Sequence, residues 1–392
     1  MYLTKEQEKM LNGEYGEVVE RFMRLLVKLG EIYNADKLIP ITSVQIAGVS
    51  YKSIGDPGLE FLDDIASKNV KVKVPSFLNP AGVDLENTNE FPEYFVEKQK
   101  RIIDAYRRLG IRITATCTPY FISVLPRFGE HVAWSESSAV SFINSVLGAR
   151  TNREGALSSL ASAVCGFTPN YGLHLDENRN PHFLIKVDAK LKTMSDFGAL
   201  GYLVGKMVGG KIPYFTGFSG GVDELKALGA AMAASGAVAL YHVEGVTPEA
   251  SYVDKNNVEK ISIDERDIKK AYEELGSEEK PDLITIGCPH ASIKEIEYVA
   301  RKLKNKKIKI PIWIFTSRPM KMLAEKLGYV EMIEKADGRV FADTCMVVSP
   351  IEEMNYRVVA TNSGKAAKYL PGLCKKIVVF RSLDELVNMA IN

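Results

Sequence analysis

The sequence predicts an α/β fold with parallel sheets, built as two lobes on either side of a glycine-rich middle segment. In the first part of the chain, strand-type segments alternate with helix-type segments, and the same alternation returns toward the C-terminus. Between these parts, residues 199–245 hold many of the 30 glycines, which favours close backbone packing. We therefore expect an N-terminal α/β lobe over 1–190, a middle segment over 191–262 and a C-terminal α/β lobe over 263–392.

The N-terminal lobe is expected to open with two helices. Thr4 and Gln7 form the pattern of a capping box, which predicts a helix over 5–11. Apolar residues at helical spacing predict a second helix over 14–32. Further along, strands are expected over 38–47, 70–77 and 111–117, and helices over 58–66 and 94–109.

The C-terminal lobe repeats this pattern. Strands are expected over 283–287, 310–315 and 377–381, and helices over 292–303, 320–327 and 383–391. In parallel α/β sheets, functional residues lie just beyond the carboxyl ends of the strands. The loops that follow strands are therefore the candidate positions for chemistry.

Composition and charge exclude several classes of protein. With 46% apolar and 25% charged residues, the chain has the composition of a globular enzyme and not of a disordered protein. A net charge of +1 argues against sequence-independent binding of nucleic acid and against a cationic membrane-surface protein. No uninterrupted apolar segment suits a membrane span, and the charged N-terminus lacks a signal region, so a cytoplasmic location is expected.

Cysteine is the residue type that carries most information about chemistry here. The five cysteines are an odd number, lie far apart and form no CxxC pair, which argues against structural disulfides and a zinc ribbon. Three of them, Cys117, Cys288 and Cys345, follow expected strands. Cys165 lies on a small-residue helix face and Cys374 precedes the last strand. Buried thiols, an iron–sulfur site and a zinc site all remain open.

Several polar or glycine-containing loops could bind an anion. Free backbone N–H groups and a hydroxyl are expected at Gly48, Val49 and Ser50 after a strand, and a second polar loop contains Asn79 and Pro80. Ser137 and Ser138 could cap a helix, and Gly364 opens another helix beside Lys365. Arg150 and Lys365 could supply charge. Each of these segments could equally be an ordinary turn or a surface ion pair.

A hydrolase pattern also occurs. Residues 217–221 fit GxSxG between a strand-like and a helix-like segment, but a chance match is expected where glycine is so frequent. An acyl-transfer site would need His242 or His290 as its base. His174 and His242 are expected to be structural, and His290, beside Cys288, is either a partner of a metal ligand or an ordinary loop histidine. The sequence has no HExxH and no GxGxxG at a strand–helix junction.

Long motifs around three of the cysteines resemble the aconitase X family. These are TATCTPY around Cys117, TIGCPH around Cys288 and ADTCMVVSP around Cys345, together with WSESSAVSFINSVLGARTNREG. The opening LTKEQEKMLNGEYGE and the segment GVSYKSIGDPGLEFL extend the resemblance over essentially the whole chain. The archaeal members of the family are the most similar.

The resemblance implies an aconitase-like fold, with parallel-sheet lobes and a cluster-binding cleft between them. It implies a hydro-lyase that dehydrates (R)-5-phosphomevalonate, a small phosphorylated hydroxy acid, to trans-anhydromevalonate 5-phosphate in a modified mevalonate pathway of isoprenoid biosynthesis. The implied cofactor is a [4Fe–4S] cluster held by Cys117, Cys288 and Cys345. Unlike those of ordinary aconitases, the last two of these ligands are not in a CxxC pair.

A separate small subunit is also implied. Aconitase-like enzymes use a small swivelling domain that provides a catalytic serine, and this chain ends at Asn392 after an expected helix. A heterodimer whose base comes from the partner is therefore expected. Candidates for the substrate pocket are Gly48, Val49, Ser50, Asn79, Pro80, Ser137, Ser138 and Gly364.

Three alternatives remain open at this point. The same family contains dehydratases of cis-3-hydroxy-L-proline, although these carry a fused small domain. An iron-sensing RNA-binding protein is disfavoured by the near-zero net charge. A structural zinc protein would be colourless, whereas an iron–sulfur protein would be brown.

Overall fold

The computed structural model describes residues 1–391 and contains three sheet regions in succession along the chain. The first region has six helices: α1 (Lys5–Leu11), α2 (Glu17–Ile32), α3 (Tyr51–Ser67), α4 (Glu93–Arg108), α5 (Ser137–Phe142) and α6 (Ala156–Cys165). Its strands are β1 (Leu38–Pro40), β2 (Val44–Ile46), β3 (Ser76–Leu78), β4 (Ala133–Trp134) and β5 (Phe167–Pro169). The capping box of Thr4 and Gln7 is present at the start of α1.

The strands of this first region belong to two sheets. Strands β3, β2 and β4 form a parallel sheet in that order, whereas β1 pairs antiparallel with β5. The expectation of one strand over 38–47 is therefore wrong. The segment turns at residues 41–43, so its two halves pair with different neighbours.

Three other expectations for this region need correction. The strand expected over 70–77 is confined to Ser76–Leu78, because the N–H groups of Val72 and Lys73 donate to the carbonyls of Leu109 and Ala163 and not to a neighbouring strand. Residues 111–117 run beside β3 but form only an isolated bridge, Phe77 to Arg112, because Ala115 takes a left-handed φ of 41°. There the hydroxyl of Thr114, and not a backbone group, accepts the N–H of Leu78 at 3.1 Å. The helix expected over 58–66 begins earlier, at Tyr51, and has a non-helical residue at Gly55.

The middle region has a sheet of its own. Its elements are β6 (Phe183–Val187), α7 (Met194–Val208), β7 (Pro213–Thr216), α8 (Val222–Gly236), β8 (His242–Val243), β9 (Glu259–Ile263) and α9 (Glu265–Leu275). The four strands are parallel in the order β8-β7-β6-β9. Strand β6 lies within the range expected for the N-terminal lobe but pairs with β7 and β9. The lobe boundaries at 190 and 262 stay a prediction.

Glycine allows the helices of this region to pack closely. A Cβ on Gly236 of α8 would lie 1.8 Å from the carbonyl oxygen of Gly205 of α7, a separation that no side chain tolerates. The glycine-rich composition of this segment therefore serves helix packing.

The last region is a five-stranded parallel sheet in the order β12-β11-β10-β13-β14. Its strands are β10 (Leu283–Ile286), β11 (Ile312–Thr316), β12 (Arg339–Ala342), β13 (Val358–Thr361) and β14 (Ile377–Phe380). Its helices are α10 (Ile293–Leu303), α11 (Arg318–Lys326), α12 (Tyr329–Lys335), α13 (Gly364–Cys374) and α14 (Leu383–Ile391). The three strands and three helices expected here correspond to β10, β11, β14, α10, α11 and α14, and their ends agree to within about two residues, the usual uncertainty at element ends. No bounds were predicted for β12, β13, α12 or α13.

The first and last regions meet at the carboxyl ends of their sheets. An isolated parallel bridge joins Ala81, after β3, to Thr344, after β12. The N–H of Ala81 donates to the carbonyl of Asp343 at 2.8 Å. Strand ends from two sheets therefore face a common cleft, the arrangement that favours a functional site in α/β folds. No helix within residues 1–391 is long and apolar enough to cross a bilayer.

Candidate active site

The cleft brings together the three cysteines that sequence analysis selected. Cys117 follows the segment beside β3, Cys288 follows β10 and Cys345 follows β12. Their exposed fractions are 5%, 5% and 6%. The thiols of Cys288 and Cys345 are hydrogen-bonded to each other, and Cys117 is near enough to interact electrostatically with both.

The two remaining cysteines lie elsewhere. The thiol of Cys165 sits in the core of the first region, 4.0 Å from the carbonyl oxygen of Val19. Cys374, at the end of α13, packs behind the turn that carries Cys345, and its sulfur faces the carbonyls of Met346 and Val347. Cys374 therefore supports the backbone of that turn.

The three thiols differ in acidity. The hydrogen bond from Cys288 lowers the pKa of Cys345 to about 7, and the backbone N–H groups of Val348 and Val347 act in the same direction. The same contact raises the pKa of Cys288. Burial, with the nearby Glu136 carboxylate, raises the pKa of Cys117. Cys345 is thus the thiol of the three that most readily becomes a thiolate, the form that binds metal.

His290 connects all three cysteine loops. Its backbone N–H donates to Sγ of Cys117 at 3.2 Å. Its Nε2 lies 2.9 Å from the carbonyl of Thr344, and its Nδ1 lies 2.9 Å from the hydroxyl of Thr116. A carbonyl can only accept, so we assign the proton to Nε2 and leave Nδ1 to accept from Thr116. Burial lowers the pKa of His290 to about 4, which keeps this ring neutral.

A buried ion pair borders the thiols. Lys365 at the start of α13 donates to Glu136 and, at 3.3 Å, to the hydroxyl of Ser138. Glu136 also accepts the hydroxyl of Ser138 at 2.5 Å and the N–H of Ala139 at 2.7 Å. The burial of this carboxylate is outweighed by Lys365, which lowers its pKa. Both groups are therefore ionised at neutral pH.

These contacts correct one expectation. Glu136, and not Ser137 or Ser138, is the cap of α5, because its carboxylate reaches the N–H of Ala139. Ser138 donates to Glu136 and supports that cap, while Ser137 lies beside it at 3.5 Å. The sequence suggested Ser137 and Ser138 because serine is a common helix cap. The glutamate before them was missed.

The loop of Gly48, Val49 and Ser50 reaches the cysteine side of the cleft. The hydroxyl of Ser50 caps α3 and donates to the carbonyl of Val348 at 2.7 Å, three residues after Cys345. No hydrogen bond joins the backbone N–H of Gly48, Val49 or Ser50 to the rest of residues 1–391. These N–H groups are thus available to an anion, whereas the Ser50 hydroxyl is already engaged.

Gln99, a residue that sequence analysis missed, fixes this loop and the loop after Asn79 and Pro80. Its side-chain amide donates to the carbonyl of Val49 at 2.9 Å and accepts the N–H of Gly82 at 2.8 Å. A glutamine on an amphipathic helix gives no signal in the sequence. The side-chain oxygen of Asn79 is buried without a partner among the described residues.

A second charged cluster lies behind Cys345. Arg318 at the start of α11 donates to both Asp84 and Asp343. Asp84 is fully buried and also accepts the N–H of Ala342 at 2.8 Å. Burial raises the pKa of Asp343, against the opposing effect of Arg318. Lys321 lies 3.8 Å from Asp84, so two basic side chains balance the two carboxylates. The cluster orients the turn between β12 and Cys345.

The remaining predicted positions divide between this cleft and other places. Gly364 lies beside Cys288 in a small pocket, and a Cβ there would lie 2.7 Å from the carbonyl oxygen of Gly198, so helix packing requires its glycine. Arg150 lies in a different cavity, paired with Asp176 at 2.6 Å and with Glu249 at 3.2 Å.

The GxSxG segment has the expected strand–turn–helix context between β7 and α8, but not the partners of a nucleophile. Ser219 is exposed. Both ring nitrogens of His290 are engaged by Thr116 and Thr344, and Nε2 of His242 faces the carbonyl of Arg179 at 2.8 Å. The arrangement does not support acyl transfer.

The donor set of the cleft fits an iron–sulfur cluster. Thiolates are the ligands that such clusters use, and the three thiols converge from three separate loops. Beside them, Oγ1 of Thr344 and Oδ1 of Asn362 are buried without a hydrogen-bond partner in the described chain. Over residues 1–391, no group of three or more His, Cys, Asp or Glu side chains forms a site for a single metal ion.

Comparison with known proteins gives matches over the whole chain. Family models described as the first, second and third domains of aconitase X match residues 1–177, 181–273 and 281–392. The chain is 56% identical to the phosphomevalonate dehydratase large subunit of Methanocaldococcus jannaschii, over 99% of both chains. The crystal structure of the holo-form of Thermococcus kodakaraensis aconitase X superposes with a TM-score of 0.94, at 50% identity and 100% coverage of both chains.

A more distant relative is named for a different activity. The cis-3-hydroxy-L-proline dehydratase of Hypocrea jecorina is 33% identical over 99% of this chain, which corresponds to 68% of that protein. About a third of that relative therefore lies outside the region that this chain matches.

Proposed function

The chain belongs to the aconitase X family, and on that premise we propose that it is the large subunit of a dehydratase acting on (R)-5-phosphomevalonate. The product would be trans-anhydromevalonate 5-phosphate. The observation that carries this proposal is the convergence of Cys117, Cys288 and Cys345 in a chain that matches such a subunit over its full length.

We further propose that Cys117, Cys288 and Cys345 hold a [4Fe–4S] cluster. A cluster held by three thiolates supplies a Lewis-acidic iron, which is the chemistry that loss of hydroxide from a hydroxy acid needs. His290 would hold the three loops in register for this purpose. Lys365 would place one positive charge beside the thiolates, which favours their ionised form.

The protein's own residues would bind the two anionic ends of the substrate. The unengaged N–H groups of Gly48, Val49 and Ser50 suit a phosphate or a carboxylate, because backbone N–H groups at a helix start point toward an anion. Asn79 and Pro80 would line the pocket beside this loop, because they follow the neighbouring strand and Gln99 bridges the two loops. We propose that Ser137, Ser138 and Gly364 also border the pocket. The two serines contact the ion pair of Glu136 and Lys365, and Gly364 directly precedes Lys365.

The charges of the cleft support a base that comes from a partner subunit. Glu136 is held ionised by Lys365, Asp343 is bound by Arg318, and both ring nitrogens of His290 are engaged. Within residues 1–391, the acids and histidine beside the thiols are thus committed to other groups. The relatives are named large subunits, which implies a small one. We propose that a swivelling small subunit supplies a catalytic serine, that the pair works as a heterodimer, and that it acts in the cytoplasm.

The experiment is turnover by the reconstituted pair. The chain would be purified without oxygen, loaded with iron and sulfide and mixed with the small subunit from the same genome. Loss of phosphomevalonate and of cis-3-hydroxy-L-proline would be followed in parallel. We expect turnover of the phosphorylated substrate only. Turnover of hydroxyproline alone would overturn the assignment, and a colourless chain with bound zinc would overturn the proposed cofactor.

A further inference from the structure

A large cavity lies at the edge of the five-stranded sheet opposite to the cysteines. Its volume is about 960 Å³. It is lined by the residues that immediately precede four strands, at 280–282, 309–311, 354–357 and 375–376. Cys288 and Cys345 follow the other ends of strands of the same sheet. The length of the strands therefore separates the cavity from the candidate active site.

The cavity carries a marked excess of positive charge. Five basic residues line it, and Asp282 is the single acidic residue. Arg357 is paired with Glu279 at 2.6 Å, outside the lining. No ion pair joins Lys280, Lys375 or Lys376 to any other of the described residues. The chain as a whole has a net charge of only +1, so the positive charge of the cavity is a local excess.

Lys376 is a buried cation built into the wall. Its exposed fraction is 7%. Its ammonium group donates to the carbonyls of Met354 and Tyr356, which leaves one of its three N–H groups without an acceptor in residues 1–391. A buried charge without a carboxylate is costly unless a ligand compensates it.

The single carboxylate of the lining offsets only one of its positive charges. The carboxylate of Asp282 accepts the backbone N–H groups of Arg357, at 3.0 Å, and Val358, at 2.8 Å, which lower its pKa and fix it against the backbone as an anion. Lys375 holds a left-handed φ of 53° at the end of α13, a position that favours glycine. A long cationic side chain thus stands at the mouth despite its backbone cost.

We propose that this cavity binds a small phosphorylated molecule, with the phosphate against Lys280, Lys375 and Lys376. Lysine is a common phosphate ligand, acting as a point charge. The rest of the lining includes Ile310, Met354, Tyr356 and Met389, so the ligand carries an apolar or aromatic body beside its phosphate. The volume is that of a small-molecule site. The proposal is independent of the proposed function, since it concerns a different edge of the sheet.

Inorganic pyrophosphate is the first probe, measured by calorimetry on the full-length chain. The test variant is Lys280→Gln with Lys375→Gln, because both side chains are exposed and their replacement spares the core. Lys294→Gln, another exposed lysine, is the matched control. We expect a roughly tenfold increase in Kd or more for the double variant, since charged hydrogen bonds are lost, and no change for the control.

Two further measurements complete the test. Lys376→Met removes the buried charge and is expected to weaken pyrophosphate binding with the circular dichroism spectrum unchanged. ADP and hexyl phosphate then distinguish an aromatic body from an aliphatic one, and one of them should bind more tightly than pyrophosphate. Absence of pyrophosphate binding at millimolar concentration, or equal binding by the Lys280/Lys375 variant and the control, overturns the proposal. If neither larger ligand exceeds pyrophosphate, the apolar half of the site is wrong.

Discussion

The backbone N–H of His290 donates to Sγ of Cys117 at 3.2 Å, although 173 positions separate the two residues in the sequence. The ring of the same histidine reaches Thr116 and Thr344, the immediate neighbours of Cys117 and Cys345. One neutral side chain thus ties together the loops that present all three thiols. This explains how three thiols from distant segments reach one place without a CxxC motif.

The first prediction concerns the ligands. Cys117→Ser, Cys288→Ser and Cys345→Ser should each abolish cluster binding, because a serine hydroxyl is a poor substitute for a thiolate. Cys165→Ser is the matched control, since that thiol is also buried but lies in the core of the first region, and Cys374→Ser should likewise retain the cluster. Iron and sulfide per chain are the measurements. Loss of iron in the Cys165 variant with retention in the Cys288 variant would refute the assignment.

The second prediction concerns His290. His290→Ala leaves the Thr344 carbonyl and the Thr116 hydroxyl without this partner, so we expect a loss of about 2–4 kcal/mol in the free energy of unfolding of the cluster-free chain. Urea unfolding measures it. His182→Ala is the control, because His182 is exposed and accepts a single bond from the N–H of Ile212 at 3.3 Å. Equal stability of the two variants would show that the His290 network contributes nothing.

The third prediction concerns the ion pair of Glu136 and Lys365. Lys365→Met leaves the buried carboxylate of Glu136 without its cation and should lower the free energy of unfolding by about 3–5 kcal/mol. Adding Glu136→Gln removes the stranded charge and should recover most of that loss. Thermal unfolding of the two single variants and the double variant completes the cycle. Additive effects in the double variant would mean that the two groups do not interact.

The fourth prediction is a pH dependence that arises away from the cleft. Burial lowers the pKa of His174 to about 3, from an ordinary value of 6.5, and its Nδ1 lies 2.9 Å from that of His131. As the pH falls, His174 is therefore protonated at a higher pH in the unfolded chain than in the folded one. The contribution of neutral His174 is complete above pH 6.5 and declines between pH 6.5 and 3, by at most about 1.4 kcal/mol per pH unit.

The variant His174→Gln cannot take up that proton. Its free energy of unfolding should therefore fall less than that of the unmodified protein between pH 7 and 5. Urea titrations at several pH values measure the difference. Parallel curves for the two proteins would mean that His174 titrates normally in the folded state.

The fifth prediction concerns the partner. The isolated chain should show no dehydration of phosphomevalonate and should gain activity with the small subunit, because the acids beside the thiols are committed to other groups. A closing domain also excludes water and positions a base, and good orientation lowers a barrier by roughly 7–11 kcal/mol in model systems. Full turnover by the purified chain without a second polypeptide would contradict this prediction.

Features that depend on neighbours along the chain could be predicted from the sequence. The capping box of Thr4 and Gln7, the helix now bounded by Glu93 and Arg108 and the alternation of the last region all follow from residues within one or two turns of each other. The placement of Cys288 and Cys345 beyond strands also came from this local pattern. The position of Cys117 was predicted for the wrong reason, because the segment before it is not a strand.

Contacts between groups far apart in the chain could be learned from the folded structure alone. The contact of Ser50 with Val348 spans 298 positions and that of Glu136 with Lys365 spans 229. Such pairs depend on how separate sheets dock, and no local pattern encodes that geometry. For the same reason the sequence did not reveal Glu136, Gln99 and Arg318. A charged or amide side chain on a helix or at its start looks like a surface residue until distant loops pack against it. The sequence thus predicts functional residues at strand ends, whereas the docking of two sheets determines which side chains surround them.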